Sequence, residues 1–355
     1  MPSLAQASRA AVDALGALPN AIDPFALSLN ENPFPPLPAV RAALIHAVDA
    51  ANRYPEFLPE SMRTMIARHI GVGAEQVVLG AGATGVVMQV LQAVTEPGDR
   101  IVLASPTFDG YPIFARIARL APVSVPLDER GHHDFAAMAQ AAAGARVVVV
   151  CRPHNPTGTL ESIADVERFM TRIPADTIVL LDEAYIEFVA PDYRIDCPDL
   201  VRHFPNVVVL RTFSKAYGLA GLRIGYGFGS PQLTETLWSM QLPFGMDITS
   251  AVAVAASYNA EEQLQQRISR IVSERDYLRR RLSTMGVYST DSHANFVYLP
   301  PASRPWREVF TGLLVRHYAD GGVRITVGGR VATQAVLHAV NDSSACCVSG
   351  IGGVR

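Results

Sequence analysis

Between residues 76 and 210, short and nearly unbroken runs of Val, Ile and Leu alternate with segments of helical spacing, and this alternation restricts the fold more than any other feature of the chain. The runs fall at residues 76–79, 100–104, 123–126, 146–151, 177–181 and 206–210, with helical segments at residues 83–94, 110–120 and 162–173. A strand with one wet face alternates apolar and polar residues, whereas a strand that is apolar throughout needs cover on both faces. The pattern therefore predicts an α/β fold, with a mainly parallel central sheet between helical layers in a large domain. Ligands of such sheets bind beyond the carboxyl ends of the strands, so the loops after these runs are where a site is expected.

Two helical segments, residues 38–51 and 59–70, precede the alternation. After residue 226 the character changes. Helical segments at residues 231–241, 248–258 and 261–285 lead to a strand at 295–299, a helix at 306–315 and a strand at 323–327, predicted to form a smaller α+β domain. The expected organisation is an N-terminal arm over residues 1–35 that joins the small domain, a large domain over 36–260, the small domain over 261–340 and a disordered tail over 341–355. The 355 residues are enough for two domains with a well-buried core. With 49% hydrophobic residues, 18% charged residues and a formal net charge of −3, the chain has no electrostatic basis for binding nucleic acid or an anionic membrane. Its densest basic group, Arg275, Arg279, Arg280 and Arg281, falls on a helical segment and reads as a solvated face. Cys151, Cys197, Cys346 and Cys347 form no C-x-x-C pair, so neither a disulfide framework nor a metal site is expected, and the setting reads as reducing and cytoplasmic. The N-terminal residues lack the basic-then-apolar pattern of an export signal, and no apolar run reaches about eighteen residues, so neither export nor membrane insertion is expected.

Lys215 is the centre of the candidate chemistry. It follows the run at 206–210, in the stretch Arg211-Thr-Phe-Ser-Lys-Ala-Tyr-Gly-Leu-Ala-Gly-Leu-Arg223. Thr212 and Ser214 can donate hydrogen bonds to a phosphate, Arg223 can add a charge-assisted one, and glycines at 218, 221 and 225 let backbone approach a bound group. A lysine amine beside a phosphate site is what pyridoxal phosphate requires. Gly80-Ala-Gly-Ala-Thr-Gly85 sits between a strand and a helix, where free N–H groups and the helix dipole hold anions, although small residues at such a turn serve packing equally well. Asp182 ends an apolar strand, a costly place for an unpartnered carboxylate. It reads either as a cap or as the group that keeps a pyridine nitrogen protonated. Asn155 and Tyr185 can both donate to a phenolic oxygen, and Phe108 offers a ring for stacking. Arg324 can hold a carboxylate as a bidentate pair, with Arg316 as a second anion-binding candidate. Taken singly, each has a plainer alternative as a turn residue, a core ring or a surface ion pair.

Taken in order, these stretches resemble fold type I pyridoxal-phosphate aminotransferases, in the branch of histidinol-phosphate and aromatic amino acid aminotransferases. The resemblance runs through Ser28-Leu-Asn-Glu-Asn-Pro33, Asn52-Arg-Tyr-Pro55, Gly80 to Thr84, Ser105-Pro-Thr-Phe108, Pro153-His-Asn-Pro-Thr-Gly158, Asp182-Glu-Ala-Tyr185, Ser214-Lys215 to Arg223 and Val323-Arg-Ile-Thr-Val-Gly328. Within the branch, the wording is most similar to actinobacterial aromatic amino acid aminotransferases. The resemblance implies that Ala83, Thr84, Thr212, Ser214 and Arg223 hold the cofactor phosphate, that Phe108 stacks on its ring, and that Asn155, Tyr185 and Asp182 contact its polar atoms. Lys215 carries the cofactor as a Schiff base and then moves the substrate's α-proton. Asn30, in a segment that lines the substrate entrance, joins Asn155, Arg316 and Arg324 on the substrate side. Tyr54 reaches the phosphate of a neighbouring subunit, so a homodimer is implied.

The favoured activity is transfer of the amino group of phenylalanine, tyrosine or tryptophan to an oxo acid such as 2-oxoglutarate. Histidinol-phosphate aminotransfer is the alternative, a related decarboxylase is a third reading, and a non-catalytic binding protein is disfavoured by the intact set of cofactor residues. Members that use histidinol phosphate carry a Pro-Tyr-x-Pro-Gly segment ahead of the Asn-Glu-Asn-Pro stretch and an acidic residue near Ala83. Here the first region reads Pro19-Asn-Ala-Ile-Asp-Pro-Phe25 and offers no hydroxyl, and the second has no acid.

Overall fold

The computed structural model of the chain describes residues 19–302 and 305–348. Its centre is a seven-stranded sheet built from β2 (Val77–Ala81), β3 (Arg100–Ser105), β4 (Ala121–Pro126), β5 (Val147–Cys151), β6 (Ile178–Asp182), β7 (Val207–Thr212) and β8 (Ile224–Gly229), after a short β1 (Ala26–Leu27) that belongs elsewhere. The strand order is β2-β8-β7-β6-β5-β3-β4, and only β8 runs against its neighbours. The expected α/β class and mainly parallel sheet are therefore observed.

Both faces of the sheet are covered, as the unbroken apolar runs require. Val147 and Val149 of β5 join one buried cluster with Val86, Val90 and Leu91, whereas Val148 and Val150 join the other with Val166 and Phe169. Successive residues thus serve opposite layers, which is why no polar residue interrupts the strand. The first cluster is supplied by α3 (Gly82–Val94) and α4 (Gly110–Ile117), which follow α1 (Pro38–Ala47) and α2 (Glu60–Ile70). The second draws on α5 (Phe135–Ala141), α6 (Ile163–Met170) and α7 (Cys197–His203). Of these, α5 and α7 are short helices that the periodicity does not reveal; each is opened by an aspartate, Asp134 and Asp196, whose side chain accepts from the backbone N–H three residues on.

The strand that periodicity hides is β8. Its sequence, Ile224-Gly-Tyr-Gly-Phe-Gly229, reads as loop, yet every residue is buried. A Cβ at Gly225 would lie 2.2 Å from the backbone nitrogen of Ala83, so only glycine lets α3 settle this closely on the sheet.

Beyond α8 (Pro231–Trp238) and α9 (Ile248–Tyr258), α10 (Glu261–Thr284) buries Leu264, Ile268, Ile271, Leu278 and Leu282 along one stripe. Arg275 departs from the solvated face expected for its group. It is buried, donates to the Ala294 carbonyl at 3.1 Å and is neutralised by Asp276. Four strands form the second sheet in the order β1-β10-β11-β9, with β9 at Phe296–Leu299, β10 at Leu314–His317 and β11 at Val323–Thr326. The helix expected over residues 306–315 is a correction. Helix α11 (Trp306–Val309) stops short of Gly312, and Leu314–His317 is drawn into strand by pairing with both β1 and β11. In the expected tail, α12 (Arg330–Val348) continues past residue 341, with no glycine or proline between residues 331 and 348 to end it. Residues 1–18, part of the expected arm, and residues 349–355 lie outside the described residues. Among the described residues no helix is long and apolar enough to cross a membrane.

Candidate active site

The carboxyl ends of β3, β5, β6 and β7 open toward one region, together with the first turn of α3 and, from the small sheet, β11 and the segment after β1. The loop after β7 brings Lys215 there, half-buried, with Nζ donating to the Leu29 carbonyl at 3.1 Å. Burial lowers its pKa to about 8, helped by the positive charges of Arg324 and Arg223 and opposed by Glu31. A neutral amine, the nucleophilic form, is therefore available near neutral pH.

Asp182 closes β6. Its Oδ2 accepts from the Tyr111 hydroxyl at 2.7 Å and its Oδ1 from the Ala184 N–H at 3.0 Å. Burial raises its pKa, while the hydrogen bonds from Tyr111 and Ala184 act against the rise and favour the carboxylate. One residue along, Glu183 is buried and takes both Nε and Nη2 of Arg211 at 3.0 and 2.7 Å, tying β6 to β7 directly beneath the loop that carries Lys215.

Two amide side chains meet at the Tyr185 hydroxyl. It accepts from Asn30 Nδ2 at 2.9 Å and from Asn155 Nδ2 at 3.3 Å, and burial pushes its pKa well up, so it remains a phenol. Asn155 Oδ1 in turn accepts from Arg324 Nη1 at 2.6 Å, and Arg324 Nη2 donates to the Ser28 carbonyl at 2.5 Å. Arg324 is 5% exposed, and its Nε has no partner. It is a buried cation held only by neutral groups, an arrangement that is costly unless an anion completes it.

Around the start of α3 lies a second set. Arg223 donates through Nη1 to Ser214 Oγ and through Nη2 to Thr84 Oγ1, both at 3.4 Å, and Thr212 Oγ1 donates to Ser214 Oγ at 3.1 Å. Gly82 takes a left-handed conformation at φ 74°, and a Cβ there would meet the Arg223 guanidinium at 2.4 Å. Ala83 presents its backbone in the first turn of this thirteen-residue helix. Three hydroxyls, a guanidinium and a helix N-terminus thus converge as an anion cradle.

Phe108 stands in the turn between β3 and α4, half-buried and packed edge-on against Tyr111 at 5.8 Å between ring centres. Two expected residues are placed differently. Arg316 lies in register with Arg324 across β10 and β11 but is paired with Asp109 at 2.9 Å. Tyr54 is 81% exposed, its ring against Phe244 at 4.8 Å, and it contacts none of the groups above within one chain. Tyr111 is the residue that sequence reasoning missed. The cost of burying Asp182 called for a partner, but nothing in the spacing says that a helix after β3 supplies it.

The model for the family described as aminotransferase class I and II matches residues 22–340. The chain belongs to that family. Among its relatives are aromatic amino acid aminotransferases of Cutibacterium acnes, 39% identical over 89% of this chain and 92% of that protein, and of Rhodococcus jostii, 38% identical over 92% of each. Solved structures of similar shape include a putative histidinol-phosphate aminotransferase from Erwinia carotovora atroseptica, with a TM-score of 0.84, 25% identity and coverage of 93% and 99% of the two chains. A second is the histidinol-phosphate aminotransferase of Sinorhizobium meliloti in complex with pyridoxal-5'-phosphate, with a TM-score of 0.84, 25% identity and coverage of 90% and 91%. In this aminotransferase the lysine with a lowered pKa, the buried carboxylate, the anion cradle and the unpaired arginine all lie at strand ends or in the segments that cover them.

Proposed function

We propose that this aminotransferase uses pyridoxal 5'-phosphate to move the amino group of an aromatic L-amino acid to 2-oxoglutarate, giving an aryl 2-oxo acid and glutamate. The observation that carries the reading is Arg324, a buried guanidinium with no anionic partner among the described residues, hydrogen-bonded to Asn155, which also reaches Tyr185. An α-carboxylate supplies the missing charge in a bidentate pair.

The residues present suit the cofactor. Arg223, Ser214, Thr212, Thr84 and the Ala83 N–H form a cradle whose donors and positive charge complement a phosphate, and Asp182 is a part-buried carboxylate already held by two donors. Bound pyridoxal phosphate supplies a sink for the electron pair left when the substrate's α C–H bond breaks. Asp182 would accept the ring N–H, Asn155 and Tyr185 would donate to the phenolic oxygen, and Phe108 would cover the ring. Lys215 would anchor the cofactor through its amine and, once freed by the substrate amine, would be the base placed to take the α-proton; burial already lowers its pKa to about 8 in the cofactor-free chain. Residues 36–260 form the cofactor-binding domain in this reading, and residues 261–340 with the N-terminal segment supply the carboxylate site.

The aromatic substrate is supported by the two relatives at 38–39% identity. It is also supported by residues 19–25, Pro-Asn-Ala-Ile-Asp-Pro-Phe, which offer no hydroxyl for a phosphate ester. One such hydrogen bond to a charged group is worth about 1.5–3 kcal/mol, or roughly ten- to a hundredfold in selectivity. Tyr54, Phe57, Leu242 and Phe244 leave an exposed apolar patch, which fits a homodimer in which Tyr54 serves the neighbouring site. We place the enzyme in the cytoplasm, where the buried thiols of Cys151 and Cys197 remain reduced. Steady-state assays test the substrate: kcat/KM for phenylalanine with 2-oxoglutarate exceeds that for histidinol phosphate, and the reverse ranking overturns the aromatic assignment.

A further inference from the structure

Asp182 is hydrogen-bonded by a phenol that the chemistry above does not use. Tyr111 is fully buried on α4, three residues after Phe108, and its hydroxyl donates to Asp182 Oδ2 at 2.7 Å. Cys151, the in-register neighbour of Asp182 on β5, lies 3.9 Å from the same oxygen. The Ala184 N–H holds Oδ1, and Lys215 is the nearby cation among the groups that act on this carboxylate. Each carboxylate oxygen has lone pairs to spare, so both bonds persist when a ring N–H arrives. Two donors hold the carboxylate plane in one orientation, and each favours its charged form.

We propose that Tyr111 is a positioning residue that fixes the Asp182 carboxylate and biases the proton shared with the cofactor's pyridine nitrogen toward that nitrogen. The inference rests on the pyridoxal-phosphate reading. In a low-dielectric site, a pyridinium–carboxylate pair and a neutral pyridine–carboxylic acid pair lie close in energy. A donor on the carboxylate side selects the charged pair, in which the ring is the better electron sink. A neutral hydroxyl bonded to a carboxylate displaces such a proton equilibrium by about ten- to a hundredfold.

Tyr111→Phe removes one oxygen and keeps the ring that packs on Phe108 and Phe114, and 3-fluorotyrosine placed at position 111 makes the donor stronger. In the cofactor-free protein, carbon-13 NMR of labelled aspartate reads the Asp182 carboxyl pKa, which rises by about one unit or more in Tyr111→Phe and stays level or falls with 3-fluorotyrosine. In the loaded protein, nitrogen-15 NMR of ring-labelled pyridoxal phosphate reports a shift toward the unprotonated nitrogen in Tyr111→Phe, with kcat down about tenfold or more and KM little changed. An unmoved carboxyl pKa overturns the coupling, and an unmoved nitrogen resonance overturns its transmission to the ring. Failure of the unaltered protein to bind pyridoxal phosphate refutes the proposed function instead, and the cofactor-free measurement separates the two.

Discussion

Lys215 and Asp182 carry opposite consequences of one cause. Burial disfavours charge on both: it lowers the lysine pKa, which favours the nucleophilic amine, and raises that of the carboxylate, a rise that the donors on Asp182 oppose. With a lysine pKa of about 8, the neutral amine grows as pH rises and saturates above that value. The initial rate at which cofactor-free protein captures pyridoxal phosphate covalently should therefore climb between about pH 6 and 8 and then level off, followed by absorbance in a stopped-flow instrument. A rate still rising toward pH 10, as for an exposed lysine, contradicts the assignment. Borohydride reduction and peptide mapping should place the cofactor on Lys215, and Lys215→Ala should bind it noncovalently with nearly all turnover lost. Asp182→Asn should keep the fold, by circular dichroism, while kcat falls by several orders of magnitude. At this scale the sequence was informative where motifs spoke: Lys215, Asp182, Asn155, Arg223 and Arg324 occupy one region of the structure. It was silent about Tyr111, because a hydrogen bond between a strand end and the helix after another strand has no signature in spacing.

Among the elements, those legible from sequence are the ones whose faces are set by burial alone. Strands β5, β6 and β7, covered on both sides, write themselves as apolar runs, and α10 writes its stripe over many turns. β8 does not, because Gly225 and Gly227 answer to the close approach of α3 rather than to a pleated surface. Nor does β10, a strand only because β1 and β11 flank it. Gly225→Ala tests the first point. The added methyl meets the Ala83 nitrogen and must push the start of α3 off the sheet, costing about 1–3 kcal/mol of stability and loosening the anion cradle. Thermal denaturation should show a lowered Tm, and cofactor titration a weaker Kd; Gly221→Ala, where nothing lies within 4 Å of the new carbon, is the control for added bulk alone.

For the whole molecule, the question is whether one chain makes a complete site. Tyr54 sits on an exposed apolar patch away from its own chain's cradle. If it completes the neighbour's cradle, mixing inactive Tyr54→Ala and Lys215→Ala proteins should restore part of the activity, since a hybrid dimer holds one site with both changes and one with neither. No recovery, with subunit exchange shown by native mass spectrometry, means that each chain serves its own site. The pairing of the two sheets through the N-terminal segment has a further consequence, for synthesis. Ser28 holds Arg324 across 296 residues of chain, Asn30 meets Thr326 across the same span, and Leu29 holds Lys215. In the proposed reading, every residue assigned to phosphate and ring precedes residue 226, whereas Arg324, assigned to the carboxylate, lies on the last strand. The parts for cofactor capture and for substrate recognition are thus separate in the order of synthesis, and a chain cut short before Arg324 keeps the elements of the first while lacking that arginine of the second.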